Sequence, residues 1–350
     1  MQVFRSGVER RLTRSDRVMN GIPVTPVRTV GQGRRGRTIQ VRIGTWPSGL
    51  YFARLRAADG RVGFAPFVVR PRVLGEHRVA VVMPTLTWQA YNLRDEDGDG
   101  AGDSWYGEWR TKTVRLGRPF LSRGIPYNFR RYDLPFLNWL ARRHKKVDVL
   151  AQADLSSVSP YALRRAYSLI VFPGHHEYVT EGEYDAIEGY RNLGGNLMFL
   201  SANNFFWEVV IRGMFMTKTK LWRDLDRPEA ALIGVQYLAN GKAPRRPWIV
   251  RRAPAASWVF NGTGLRTGST FARGGVEIDR IAAATPTGVQ VLAEIPSLFG
   301  AGKTAQMTYY EHPSGAQVFA AGAFYFTRMI NLDPVVSRIV ENLWARMGAR

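Results

Sequence analysis

Three consecutive residues, His175, His176 and Glu177, follow the run Ser168-Leu-Ile-Val-Phe-Pro-Gly174. Two imidazoles and a carboxylate offer nitrogen lone pairs, an anionic oxygen and proton carriers, which is what acid–base chemistry or a metal ion requires. Two further groups end apolar runs in the same way: Tyr91-Asn92 after Val79-Ala-Val-Val-Met-Pro84, and Ser201 with Asn203 after Asn196-Leu-Met-Phe-Leu200. If each run is a strand of one parallel sheet, these groups share a rim, and Glu311 can reach that rim from a late strand. Asn92, His176 and Asn203 are read as substrate-binding neighbours there. A glutamate, a histidine and one or two tyrosines suit a hard ion such as ferric iron, because phenolate and carboxylate oxygens match high charge density. Such an ion would acidify bound water and polarise a carbonyl, leaving an unligated carboxylate or histidine to carry the proton.

Other chemistry is less well provided for. Asp95, Asp97, Asp99 and Gly100 match the opening of a calcium loop, with Asp103 at the ninth position, but the twelfth is Tyr106 where a glutamate is needed. No Gly-x-Ser-x-Gly elbow and no phosphate-binding P-loop is present. With no cysteine in 350 residues, disulfides, thiolate nucleophiles and sulfur-ligated metals are excluded.

The elements that must position these groups alternate. Ser168 to Pro173 is apolar and β-branched, as a strand covered on both faces should be, and Thr180 with Glu183 forms a capping box for a helix from Glu181 to Leu193. Val79–Met83, Val147–Leu150 and Asn196–Asn203 read as further strands; Asp133 to His144 and Pro160 to Tyr167 read as helices. The expected fold is α/β, a doubly wound parallel sheet of the flavodoxin-like kind, whose ligands bind at strand carboxyl ends. A β-rich, glycine-punctuated insertion is expected over about 225–308, before a last strand and a terminal helix from Pro334 to Met347. Ahead of the α/β part (73–350), alternation at Thr38–Ile43, Leu50–Leu55 and Gly63–Val69 predicts a small β-sandwich-like segment over 38–72. Residues 1–37 lack periodicity and read as a disordered or remnant arm.

Composition limits the partners. Forty-five per cent hydrophobic residues suffice for a substantial core, and no apolar run approaches the roughly 18 residues of a membrane span. No secretory signal is visible, so a cytoplasmic location is expected. The net charge of +21 comes from arginine spread along the chain, nine of them in the first forty residues, without a nucleic-acid motif. A specific nucleic-acid partner is therefore not expected, although a basic surface attracts acidic partners.

Several blocks carry a resemblance. Trp88-Gln-Ala-Tyr-Asn92, Arg118-Pro-Phe120, Phe172-Pro-Gly-His-His-Glu-Tyr178, Gly194-Gly-Asn196 through Ser201-Ala-Asn203 with Trp207, and Gly234-Val-Gln-Tyr237 together resemble the C-terminal region of the large subunit of N,N-dimethylformamidase. The likeness runs from about Thr38 to the C-terminus and is strongest from Arg78 to Trp207. It implies a fold similar to class I glutamine amidotransferases without their cysteine, and a mononuclear iron held by two tyrosines and a glutamate in an enzyme that hydrolyses a small formamide. By position, Tyr91 is similar to the first tyrosine ligand and Glu177 to the carboxylate ligand, with His175 beside it. Tyr132 is the choice for the second tyrosine, with Tyr127 as its rival, and Glu311 corresponds to a glutamate that assists proton transfer. The chain departs from that enzyme in its shorter N-terminal part and in the shortened spacing from the tyrosines to Glu177. The expected function is thus iron-dependent hydrolysis of a small amide. The alternative is a catalytically silent amidotransferase-like module that binds carbohydrate or protein through the Trp/Tyr-rich stretch from Trp88 to Tyr132. A homo-oligomer is compatible with either.

Overall fold

Leu169-Ile-Val-Phe172, four apolar residues without a polar interruption, forms a strand in which every residue is buried. It lies inside a nine-stranded sheet whose members, in chain order, are Val79–Met83 (β1), Asp148–Ala151 (β2), Leu169–Phe172 (β3), Asn196–Phe199 (β4), Arg246–Val250 (β5), Thr270–Gly274 (β6), Gln290–Ile295 (β7), Ala305–Glu311 (β8) and Gln317–Ala320 (β9). The computed structural model describes residues 1–7, 15–31, 39–96, 98, 102–106 and 111–348. Across the sheet the order is β6-β5-β7-β8-β9-β4-β3-β1-β2. The last five run parallel, and the first four join by antiparallel pairing.

Helices lie on both faces of the parallel part: Thr85–Ala90 (α1), Leu134–Arg142 (α2), Pro160–Ala166 (α3), Glu181–Asn192 (α4) and Pro334–Met347 (α5). Because side chains alternate along a strand, Val79, Val81, Leu169 and Val171 pack with Phe136 and Leu140 of α2 and Ile339 and Leu343 of α5. Ala80, Val82, Ile170 and Phe172 pack on the other side with Leu163 of α3 and Tyr184, Ile187 and Tyr190 of α4. Each such large side chain contributes about 1.5–3 kcal/mol through burial, so two apolar layers fix where the strand ends lie.

The arm expected over 1–37 is partly structured. Gln2–Arg5 is a strand between Ile22–Pro23 and Gly49–Arg56, and Val62–Val69 completes this four-stranded sheet. It takes the edge expected for Thr38–Ile43, whose described residues, 39–43, form no strand. The physical reason is burial: Val3 and Phe4 are covered, and Phe4 stacks on Phe52 at 5.2 Å. Ser48 ties this sheet to β2, accepting from the Val149 N–H at 2.7 Å.

Two smaller sheets frame the carboxyl ends of the parallel strands. One contains Thr113–Arg115, Phe215–Leu221, Trp207–Arg212 and Tyr178–Val179; the other pairs Gln236–Asn240 with Glu277–Arg280. Among the described residues no helix is long and apolar enough to cross a membrane.

Candidate functional site

The loop after β3 is held from both sides. Backbone N–H groups of Phe205, Phe206 and Trp207 donate to the carbonyls of His176 and Glu177. The Glu177 N–H donates to Thr87 Oγ1 of α1 at 3.1 Å. Gly174 leaves no room for a side chain, since an added Cβ would lie 2.0 Å from Asp133 Oδ1. Thr180 and Glu183 form the expected capping box at the start of α4, so the loop is anchored to that helix as well.

This loop delivers His175 to a cavity of about 230 Å³, which is also lined by Trp88, Tyr91, Tyr106, Tyr127, Arg131, Tyr132, Glu277, Phe324 and Tyr325, and sets the Glu177 carboxylate behind the Tyr91 and His175 side chains. The Tyr91 phenol donates to the Glu177 carboxylate. His175 packs between Tyr91 and Phe324, with ring centres 5.6 and 4.8 Å away. Its Nε2 lies 3.5 Å from Glu177 and 3.8 Å from Glu277 and has no hydrogen-bond partner among the described residues. Burial, with a smaller push from His176, lowers His175 to about 3. The imidazole is therefore neutral, and its carboxylate neighbours are not ion-pair partners.

The two glutamates differ. Burial raises both, and the Glu177 charge raises Glu277 further. Glu177 is pulled back by bonds from Tyr91, Tyr178 and Asn203 and by the Lys218 ammonium. Glu277 has only the Asn203 amide, 2.8 Å away, to offset burial, Glu177 and Asp279, and stands well above the carboxylate range. Glu177 thus ionises first and Glu277 holds its proton, a separation typical of paired acids with distinct roles.

Several expected site residues lie elsewhere. Glu311 is a correction: β8 runs antiparallel to β9, with Glu311 opposite Gln317, the first residue of β9. It therefore sits at the amino ends of the parallel strands, more than half exposed and paired with Arg346. His176 faces away from the cavity, its ring nitrogens 2.9 and 3.2 Å from the Val82 and Gly174 carbonyls; the neutral ring has one N–H to donate to one of them. The Asn92 amide contacts the Arg118 and Pro119 carbonyls and fastens a loop. Asn203 does serve the site, through Glu277. Tyr132 and Tyr127 both line the cavity. Tyr132 is the deeper, against Phe324 at 4.7 Å, whereas Tyr127 is 43% exposed.

In the acidic stretch, Asp95 and Asp103 accept from the backbone N–H groups of Gly98 and Glu96. Asp97 and Asp99 lie outside the described residues.

The residue missed from sequence is Glu277. Its strand is fixed to the segment after β9, with Asp279 N–H donating to the Gly322 carbonyl and Phe324 N–H to that of Glu277. Gly322 allows that approach, since a Cβ there would lie 2.0 Å from the Gln306 carbonyl oxygen. The only local hint was Glu277-Ile-Asp279, a strand that alternates with its acids on one side.

The donors fit a hard cation. The Tyr91 phenol, the Glu177 and Glu277 carboxylates and a His175 nitrogen without a hydrogen-bond partner among the described residues lie close together, and the Lys218 ammonium lowers Glu177.

The N,N-dimethylformamidase beta subunit from Alcaligenes sp is 34% identical over 124 residues, which is 35% of this chain and 16% of that protein. The beta subunit from Paracoccus aminophilus matches to the same extent. The aligned part therefore spans about a sixth of either relative. Among solved structures, the mmIFT52 N-terminal domain aligns with 59% of this chain and 86% of its own at 11% identity, with a TM-score of 0.37, too low to assign a shared fold. The N,N-dimethylformamidase beta subunit-like C-terminal family matches residues 34–337, and the chain belongs to it.

Proposed function

We propose that this cavity hydrolyses the C–N bond of a small amide. The observation that carries the proposal is the convergence of Tyr91, His175 and Glu277, from three separate segments, on one cavity, with the Glu177 carboxylate against Tyr91 and His175. Neutral His175 takes a proton from water as its oxygen adds to the carbonyl carbon. Glu277 gives its proton to the amide nitrogen as the C–N bond breaks, and His175 then returns a proton to Glu277. The balance is amide plus water to carboxylic acid plus amine. Tyr91, Glu177 and Tyr132, with Tyr127 as rival for the last place, would hold a ferric ion, whose Lewis acidity lowers the pKa of bound water and polarises the carbonyl.

The name shared by the relatives, a dimethylformamidase subunit, supports amide hydrolysis and association with further subunits or a second copy. The strand order β2-β1-β3-β4-β9, with helices on both faces, supports a doubly wound, flavodoxin- or amidotransferase-like unit. A purely binding module is the weaker reading, because Trp88, Tyr91, Tyr106, Tyr127 and Tyr132 line the cavity.

The test is amine release from N-substituted amides by metal-replete protein. Glu277→Gln should lower kcat while leaving KM and metal content near those of the parent. Absence of amine release from every amide tried would contradict the assignment.

A further inference from the structure

We propose that the amide taken by this cavity carries a carboxylate, held at the mouth by Arg131 while the scissile bond lies at the floor; the proposal rests on the hydrolase function above. Space comes first. About 230 Å³ equals seven or eight water-sized groups at about 30 Å³ each, more than a formamide with two methyl groups fills.

Polarity then sets direction. His175 is buried at the floor and Glu277 beside it is mostly covered, whereas Tyr106, Tyr127 and Arg131 are more open to solvent. Tyr325, another wall, has the Arg245 and Arg328 guanidinium groups 4.3 and 5.5 Å from its ring centre. The mouth is cationic and the floor acidic, so an anionic end stays at the mouth.

Arg131 is built to take that end. Its Nη1 donates to Asn128 Oδ1 at 3.2 Å. Its Nη2 is 3.8 Å from Asp16, beyond hydrogen-bond reach, and its Nε meets no acceptor among the described residues. Asp16 is instead gripped by Nε and Nη2 of Arg130, at 2.6 and 3.2 Å. The edge that holds a carboxylate in Arg130 is thus unfilled in Arg131. Its Nε is shielded from solvent, so a modest rotation of this partly exposed side chain accompanies binding. A planar guanidinium recognises a carboxylate bidentately, which an ammonium does not. Tyr132, its phenol raised chiefly by burial, also feels both ends of the cavity, Glu277 raising it and Arg131 lowering it.

Two measurements test this. In the first, kcat/KM is compared for size-matched amides ending in a carboxylate or in its methyl ester, on the parent protein, Arg131→Gln and Arg131→Lys. The parent should prefer the carboxylate by roughly 10–100-fold; the preference should vanish in Arg131→Gln and survive in part in Arg131→Lys. Equal use of both amides by the parent, or a preference unchanged in Arg131→Gln, overturns the proposal.

The second is calorimetric binding of benzoate and benzamide to the parent, Arg131→Gln and Glu177→Gln. Benzoate should weaken at least tenfold in Arg131→Gln and persist in Glu177→Gln. Loss only in Glu177→Gln would place the anion on the metal and overturn the assignment. If no amide is hydrolysed but benzoate binding still depends on Arg131, the hydrolase function fails while the anion site stands.

Discussion

The two ends of the parallel sheet use polar residues in opposite ways. At the amino ends they bond to backbone: Asp148 accepts from the N–H groups of Gly75 and His77 and from the Tyr167 hydroxyl. Asn196 likewise bridges the Met347 carbonyl and the Gln317 N–H. Glu311 stands partly in solvent with Arg346 and accepts from the Tyr309 hydroxyl; Gln317 Oε1 is the exception, buried without a partner among the described residues. At the carboxyl ends, His175 Nε2, Asp133 Oδ1 and Asn203 Oδ1 are buried without partners among the described residues, and Glu177 and Glu277 crowd one imidazole. An unsatisfied buried polar atom costs about 1–3 kcal/mol. The amino end is arranged for stability, and the carboxyl end gives up stability, as the proposed chemistry would require.

Exchanging single groups sharpens that contrast. The largest effect is expected from Glu277→Gln, which should lower kcat about 10²–10⁴-fold while leaving the thermal midpoint unchanged or higher, because a buried acid becomes a neutral amide that keeps the Asn203 contact. Amine-release kinetics and a melting curve on one preparation check both halves.

Substitutions behind the loop should do the reverse and act first on stability. Gly174→Ala must displace Asp133 and should cost about 1–3 kcal/mol. His176→Phe removes the ring N–H that one of the Val82 and Gly174 carbonyls accepts and should cost a similar amount. Urea unfolding measures each; a neutral His176→Phe would show that this imidazole is not structural.

A smaller effect is linked to pH at Glu183, which burial raises to about 7 from 4.5. The folded state holds this proton more tightly than the unfolded one, so the group's stabilisation is full below about pH 4.5 and lost as pH rises through 7. Glu183→Gln, which can still accept from the Thr180 N–H, should gain stability relative to the parent between pH 5 and 8. Parallel melting curves that do not diverge over that range would contradict this. The smallest change belongs to the amino end: Glu311→Gln should alter activity less than about twofold and stability by less than about 1 kcal/mol.

What was legible in the sequence was local. The run into Gly174 and the Thr180–Glu183 capping box are written within a dozen residues, and they located His175 and Glu177. Tyr91 followed because its strand ends in the same way. Glu311 was misplaced because periodicity reveals a strand but not its direction, and reversing β8 moves its last residue to the opposite end of the sheet. Glu277 stayed hidden because its position depends on pairing with Gln236–Asn240 and on contacts after β9. The Gln2–Arg5 strand escaped for the same reason, since its partner lies some fifty residues on. Of the adjacent histidines, only packing separates the ring in the cavity from the one behind it.

The claim that the carboxyl-end cluster is a metal-holding hydrolytic centre is tested most directly by elemental analysis with a visible absorption spectrum, on the parent, Tyr91→Phe and Glu177→Gln. The expected result is about one iron per chain and a tyrosinate-to-iron charge-transfer band, altered in Tyr91→Phe and absent with the iron in Glu177→Gln. Parent protein free of iron after growth with added iron, or full iron and an unchanged band in both variants, would contradict it.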